Sequence, residues 1–148
     1  LVVAGGVNEE KRPYFEKIRE MAESVEGIDV KENVPGEEWQ DLYSNCYSVL
    51  FCAMNEDWGI TPIEAGSYEK PVISVNEGGP TESIIDGETG YLVDATPEAF
   101  ADAMEKLAEN PEKAREMGEK GREESKKYTW NRFADGFDKQ VKQVVREF

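Results

Sequence analysis

Two carboxylates, Glu56 and Glu64, stand eight residues apart in the run Glu56-Asp-Trp-Gly-Ile-Thr-Pro-Ile-Glu64. Between them Gly59 suits a turn, Thr61 can cap a helix and Pro62 suits its first position. Immediately upstream, Ser48–Met54 (Ser-Val-Leu-Phe-Cys-Ala-Met) is a mostly apolar run of buried-strand length. The arrangement is therefore strand, glycine loop, helix N-terminus. In open α/β sheets ligands bind at that edge, and a helix N-terminus presents unpaired N–H groups and a positive dipole end to an anion. A carboxylate at such a place repels phosphate, and holding sugar hydroxyls is a natural use for it. On pattern alone two readings of Glu64 stand side by side: a ligand contact, or an ordinary first-turn glutamate favoured by the helix dipole.

The elements that must position these residues follow from the apolar periodicity. Leu1–Ala4 reads as a strand that ends at Gly5-Gly6, and Asn8 as the cap of a helix from Glu9 to about Val25, with Phe15, Ile18, Ala22 and Val25 on one face. Ile28–Val30 is a short strand, and Val34-Pro35-Gly36 turns into a helix with Trp39, Leu42 and Tyr43 on its apolar side. Beyond the Glu64 helix come a strand at Pro71–Val75, a short helix at Pro80–Ile85 and a last strand at Gly90–Val93. Thr96-Pro97 opens a helix with Phe100, Met104, Leu107 and Ala108 inward, and Pro111 opens another, polar apart from Ala114 and Met117. The final helix, from Thr129, carries Trp130, Phe133, Phe137, Val141, Val144 and Phe148 on one stripe. Strands alternating with helices predict an α/β fold, a Rossmann-like parallel sheet with helices on both faces.

Composition removes whole classes of chemistry. The 148 residues suit one domain with a substantial core, with 39% hydrophobic and 10% aromatic residues. The formal net charge of −15, from 32 acidic and 17 basic residues, argues against nucleic acid and anionic membrane as general partners, since both need a positive field. There is no histidine, which excludes His-based acid–base catalysis and any Ser-His-Asp triad. Cys46 and Cys52 are the only cysteines and lack metal-ligand spacing. With no signal-peptide pattern and no apolar run of membrane-spanning length, the expected compartment is a reducing cytoplasm. Gly5-Gly6 is not a dinucleotide fingerprint, because the G-x-G-x-x-G spacing is absent.

Four segments in order, Glu56-x7-Glu64, Lys70-Pro-Val-Ile-Ser74, Glu77-Gly-Gly-Pro-Thr-Glu82 and Asp86-Gly-Glu-Thr-Gly-Tyr-Leu-Val93, span roughly forty residues. Together they resemble the C-terminal half of a family-4 (group 1) retaining glycosyltransferase of the GT-B fold. That family carries an E-x7-E motif, a G-x-P-V-I strand, a G-G-x-x-E loop and a D-G-x-T-G-x-L-V turn. Within it, Asn76-Glu-Gly-Gly79 after Thr61-Pro-Ile-Glu64 is similar to mannosyltransferases. One departure is visible: Ala65-Gly-Ser-Tyr-Glu69 replaces E-A-M-A-x-G, so the turn before Lys70 lacks its glycine.

The resemblance implies a hexose transfer from a nucleoside-diphosphate sugar to a hydroxyl with retention of configuration. It gives Glu64 the ribose hydroxyls of the donor, and Glu56 a catalytic place near the donor sugar and reaction centre. The backbone amides of Gly59, Ile60 and Thr61 would face the diphosphate. Gly78 and Gly79 would border the sugar pocket, and Val34, Pro35 and Gly36 would lie at the base pocket. Trp58 either packs the loop or touches sugar, and Glu82 reads as structural. No D-x-D is present, and the fold usually needs no metal, so neither metal nor cofactor is expected. Residues 1–128 would form the donor-binding domain. Residues 129–148 would form a helix that covers this domain or crosses back to an N-terminal acceptor-binding domain absent from this chain. Leu1 already matches the family's second strand. The first, central strand and the arginine and lysine that clamp the donor phosphates would therefore lie upstream. The strands at Leu1–Ala4 and Ser48–Met54 would then lack a shared partner. Two rivals remain: a nucleotide-sugar epimerase of the same fold, for which no acid–base residues can be named, and a non-catalytic α/β partner-binding module.

Overall fold

The computed structural model describes residues 1–146, which fall into two compact units, Leu1–Ser44 and a second that begins at Asn45. The first unit contains β1 (Val2–Gly5), α1 (Arg12–Glu23) and β2 (Asp29–Glu32), and α2 (Gly36–Asn45) closes it. β1 and β2 pair in parallel, with Val2 opposite Asp29 and Gly5 opposite Glu32. α1 starts three residues later than the expected Glu9. Pro13 has no N–H to return to the carbonyl of residue 9, so the helix can begin only where the proline falls in its first turn. Asn8 instead closes the preceding turn, accepting from the Lys11 N–H at 2.9 Å. Val25 lies past the helix end and is exposed. Ala22 is the one buried residue of this unit.

The second unit holds β3 (Val49–Phe51), α3 (Ile60–Ser67), β4 (Val72–Val75), α4 (Pro80–Ser83), β5 (Gly90–Val93), α5 (Pro97–Glu109), α6 (Pro111–Ser125) and α7 (Trp130–Arg146). Its sheet is parallel in the order β3-β4-β5, with Val49 opposite Val72 and Val72 opposite Gly90. β3 is shorter and less buried than the Ser48–Met54 run predicts, because it is an edge strand with a ladder on one side only. Cys52, expected within the strand, is exposed just beyond it. Among the described residues no ladder joins β1 to β3: the strands form a two-stranded and a three-stranded sheet, and not one continuous sheet.

The core of the second unit is Ile73, Ala103, Leu107, Ala114 and Met117, with Leu50, Tyr91, Val93 and Phe100 packed against it. α5 therefore turns Phe100, Ala103 and Leu107 inward; Met104 and Ala108, expected on that face, are exposed. Thr96 and Asn110 cap α5 and α6 through side-chain oxygens that accept from the Ala99 and Lys113 N–H groups. α6 lies unusually close to α3. A Cβ built on Gly66 would meet the Gly121 carbonyl oxygen at 2.8 Å, and one on Gly118 would meet that of Glu69 at 2.0 Å. No other residue type fits that approach without moving the backbone.

Thr129 caps α7 by accepting from the Arg132 N–H at 3.3 Å. The stripe foreseen on α7 is present and exposed: Trp130 at 86%, Phe133 at 64% and Phe137 at 61%. Phe133 meets Trp130 edge-on and stacks on Phe137, with centroids 6.0 and 6.2 Å apart; Phe148, expected at the end of the stripe, lies outside the described residues. Among the described residues no helix is long and apolar enough to cross a membrane.

Candidate functional site

Seven of the eight candidate residues lie in the second unit: Glu56, Gly59, Gly78 and Gly79 on the two loops that leave the C-terminal ends of the adjacent strands β3 and β4, and Ile60, Thr61 and Glu64 in α3. The first loop carries Glu56 into α3, whose start differs from expectation. Gly59, not Thr61, is the cap, with φ 73° and ψ 87°. Glycine takes this left-handed geometry without steric cost, and threonine does not. Thr61 becomes the second helical residue and Pro62 the third. The amides of Ile60 and Thr61 therefore fall in the first turn, where N–H groups have no carbonyl one turn back to receive them. Glu64 is exposed one turn further in, at the i, i+4 position from Ile60. Helical Cα–Cβ bonds tilt toward the N-terminus, so Glu64 shares a face with that first turn.

Glu56 is held by its own loop and by the next one. Its Oε1 accepts from the Gly59 N–H at 3.2 Å, with the Trp58 N–H at 3.5 Å. Its backbone carbonyl accepts from the Gly79 N–H at 2.9 Å. One residue earlier, the Asn55 N–H donates to Glu77 Oε1 at 2.9 Å. The two glycines of the second loop make this approach sterically feasible. A Cβ on Gly78, where φ is 62°, would lie 2.3 Å from the Glu56 carbonyl oxygen, and one on Gly79 would lie 2.1 Å from that of Trp58. Gly78 and Gly79 thus pack directly against the Glu56–Trp58 backbone.

Trp58 packs its ring edge-on to Tyr128, with centroids 5.4 Å apart at 71°, and keeps 42% of its surface exposed. The Tyr128 hydroxyl donates to the Glu82 carbonyl oxygen at 3.0 Å, and the Glu82 N–H to that of Gly79 at 2.9 Å. Glu82 thus ties the glycine loop to the following helix through its backbone. Partial desolvation raises the pKa of both Cys46 and Cys52 above the ordinary thiol value, with Lys70 partly opposing the rise at Cys46. Among the described residues no group of three or more His, Cys, Asp or Glu could hold a metal ion. Gly36 is in the first unit, where it opens α2 and is exposed, with nothing within 4 Å of a Cβ built there. Sequence reasoning missed the roles of Glu77 and Tyr128. Both act by pairing loops far apart in sequence, for which local pattern carries no signal.

A model of the family described as "Glycosyl transferases group 1" matches residues 1–124. The chain belongs to the group 1 glycosyltransferases. It is 32% identical to alpha-1,3/1,6-mannosyltransferase ALG2 of Dictyostelium discoideum, over 97% of this chain and 36% of that protein. To the mouse (Mus musculus) protein of the same name it is 33% identical, over 98% of this chain and 37% of that protein. Among solved structures, sucrose-phosphate synthase of Thermosynechococcus elongatus superposes with a TM-score of 0.86 at 24% identity, covering all of this chain (100%) and 39% of that one. A glycosyltransferase of Rickettsia africae gives 0.86 at 19% identity, over 99% of this chain and 40% of that one. The parallel sheets flanked by helices thus match the C-terminal Rossmann-like domains of GT-B glycosyltransferases. The chain spans well under half the length of these relatives.

Proposed function

We propose that this chain is the donor-binding half of a retaining hexosyltransferase that moves mannose from a nucleoside-diphosphate sugar to a hydroxyl acceptor. The observation that carries the reading is the pair Glu56 and Glu64 around the Gly59-capped start of α3. One carboxylate is fixed on loop amides, and the other shares a face with the open first turn. Membership of the group 1 family and the two mannosyltransferase relatives support the activity and the choice of sugar.

In the proposed scheme Glu64 accepts hydrogen bonds from both ribose hydroxyls of the donor, which a carboxylate does better than a neutral group. The amides of Ile60 and Thr61, with Gly59 behind them, face the diphosphate, where the helix dipole favours negative charge. Gly78 and Gly79 border the sugar. As the bond from the anomeric carbon to the phosphate oxygen breaks, positive charge develops at that carbon and Glu56 stabilises it. The acceptor hydroxyl oxygen then bonds to the same face, its proton passes to the departing phosphate oxygen, and the nucleoside diphosphate leaves. This scheme uses no metal or cofactor. In the intact enzyme the exposed aromatic stripe of α7 packs against an acceptor-binding half. The proposed compartment is the cytoplasm, where the thiols of Cys46 and Cys52 stay reduced.

Saturation-transfer NMR with a panel of UDP- and GDP-sugars tests the reading. One donor is expected to bind, and Glu64→Gln to weaken it about 10- to 150-fold, the loss of a charge-assisted hydrogen bond of about 1.5–3 kcal/mol. In the intact enzyme Glu56→Gln is expected to lower turnover with donor affinity nearly unchanged. An intact enzyme that ignores every nucleotide sugar overturns the proposal.

A further inference from the structure

Glu77 lies outside the residues that the proposed scheme uses, yet its side chain hydrogen-bonds from the β4 loop to the segment carrying Glu56. Its Oε1 accepts from the Asn55 N–H at 2.9 Å. Asn55 is in the left-handed region, at φ 56°. Asparagine tolerates that conformation better than most residues, but still at some cost relative to negative φ. Something must hold it there, because a flip of Asn55 to negative φ re-aims the peptide that leads into Glu56. Two contacts oppose the flip. The Glu77 carboxylate receives the Asn55 N–H, and the Gly79 N–H, two residues along the same loop, donates to the Glu56 carbonyl oxygen at 2.9 Å. Asn76, Glu77 and Gly78 are all exposed, so this grip is not a by-product of core packing.

We infer that Glu77 is a positioning residue for Glu56: by holding the Asn55 N–H it fixes the backbone from which the Glu56 carboxylate reaches the reaction centre. The inference rests on the proposed transferase reading, since it gives a function to the aim of Glu56. Glu77 itself touches no reacting atom. Its removal leaves donor binding through Glu64 and the first turn of α3 intact, and turnover falls because the stabilising carboxylate is displaced. Misplacement of a catalytic group by about 1 Å costs on the order of 100-fold in rate.

Three variants of the intact enzyme separate the role of Glu77 from mere support of the loop. Glu77→Ala removes the acceptor. Glu77→Asp keeps the charge but is one methylene too short to reach, and Glu77→Gln keeps an acceptor oxygen of the right reach without the charge. For Ala and Asp, kcat is expected to fall about 10- to 100-fold, with the donor dissociation constant within about twofold of wild type and faster hydrogen exchange at the Asn55 amide. Gln is expected to recover most of the turnover and of the exchange protection. Three results overturn the inference: wild-type kcat in the Ala variant, a loss of donor affinity as large as the loss of turnover, or a Gln variant as impaired as Ala. A wild-type enzyme that transfers no sugar sinks the transferase reading instead, and Asn55 exchange unchanged in Glu77→Ala then sinks the hydrogen-bonded grip on its own.

Discussion

Val2-Val-Ala-Gly5 and Val72-Ile-Ser-Val75 are parallel strands of the same length and similar apolar character, yet they end in opposite environments. In β4, Val72 and Val75 are 2% exposed and Ile73 is fully buried, whereas in β1 Val2 and Val3 are 45% and 38% exposed. β4 has ladders on both edges and helices packed over it, while β1 has one ladder, to β2. Apolar sequence states which residues need cover, and the neighbours supply the cover. The second unit supplies it from its own helices. The first unit buries a single alanine, Ala22, and so draws little stability from the hydrophobic term that dominates folding.

Amide hydrogen exchange in this chain tests that contrast most sharply. Core strands exchange only through global opening, while weakly packed elements open locally. The β4 amides are expected to exchange at least about 1000-fold more slowly than those of β1 and β2, a gap of about 4 kcal/mol in opening free energy. Equal protection in the two sheets would show that exposure of β1 has no energetic consequence and break the comparison.

Glycine substitution probes the same difference from the side of packing. Gly118→Ala forces a methyl to within 2.0 Å of the Glu69 carbonyl oxygen, on the tight seam between α3 and α6. Overpacking of this kind costs about 1–3 kcal/mol, and backbone on the far side places this site at the top of that range. Gly5→Ala in β1 meets nothing within 4 Å, so its change in stability is expected to stay within about 0.5 kcal/mol. Urea unfolding of the two variants measures both. A harmless Gly118→Ala would mean that the seam yields.

The parts legible in the sequence are those set by neighbours in the chain. Thr96-Pro97 and Pro111 mark helix starts that the structure keeps, because cap and proline act within one turn. The spacing of Glu56 and Glu64 placed both carboxylates around a helix start for the same reason. Local pattern failed where a distant partner decided the outcome. The Ser48–Met54 run looked like a full buried strand, but an edge position shortened it to Val49–Phe51. Met104 and Ala108 fitted the apolar period of α5, yet the sheet and α6 took Ala103 in their place, beside the expected Phe100 and Leu107. The bond from Asn55 to Glu77 joins residues 22 apart, and neither residue type announces the other.

The smallest effect expected comes from the helix starts, where the two units differ again. α5 and α6 have side-chain caps, from Thr96 to the Ala99 N–H at 3.2 Å and from Asn110 to the Lys113 N–H at 3.0 Å. α1 starts after Lys11, whose side chain caps nothing. Replacing a capping Thr or Asn with Ala typically costs about 1 kcal/mol, because an N–H of the first turn loses its acceptor. Thr96→Ala and Asn110→Ala are each expected to lower stability by about that amount, and Lys11→Ala by no more than a few tenths. Asn110 adds a reason for a slightly larger loss. It also ends α5, with its N–H donating to the Leu107 carbonyl at 3.3 Å, so the residue fixes the corner between the helices that carry Leu107 and Met117 into the core. Thermal unfolding of the three variants decides the matter. If Lys11→Ala costs as much as Thr96→Ala, the start of α1 is held by more than the turn at Asn8, and the first unit is better anchored than its burial indicates.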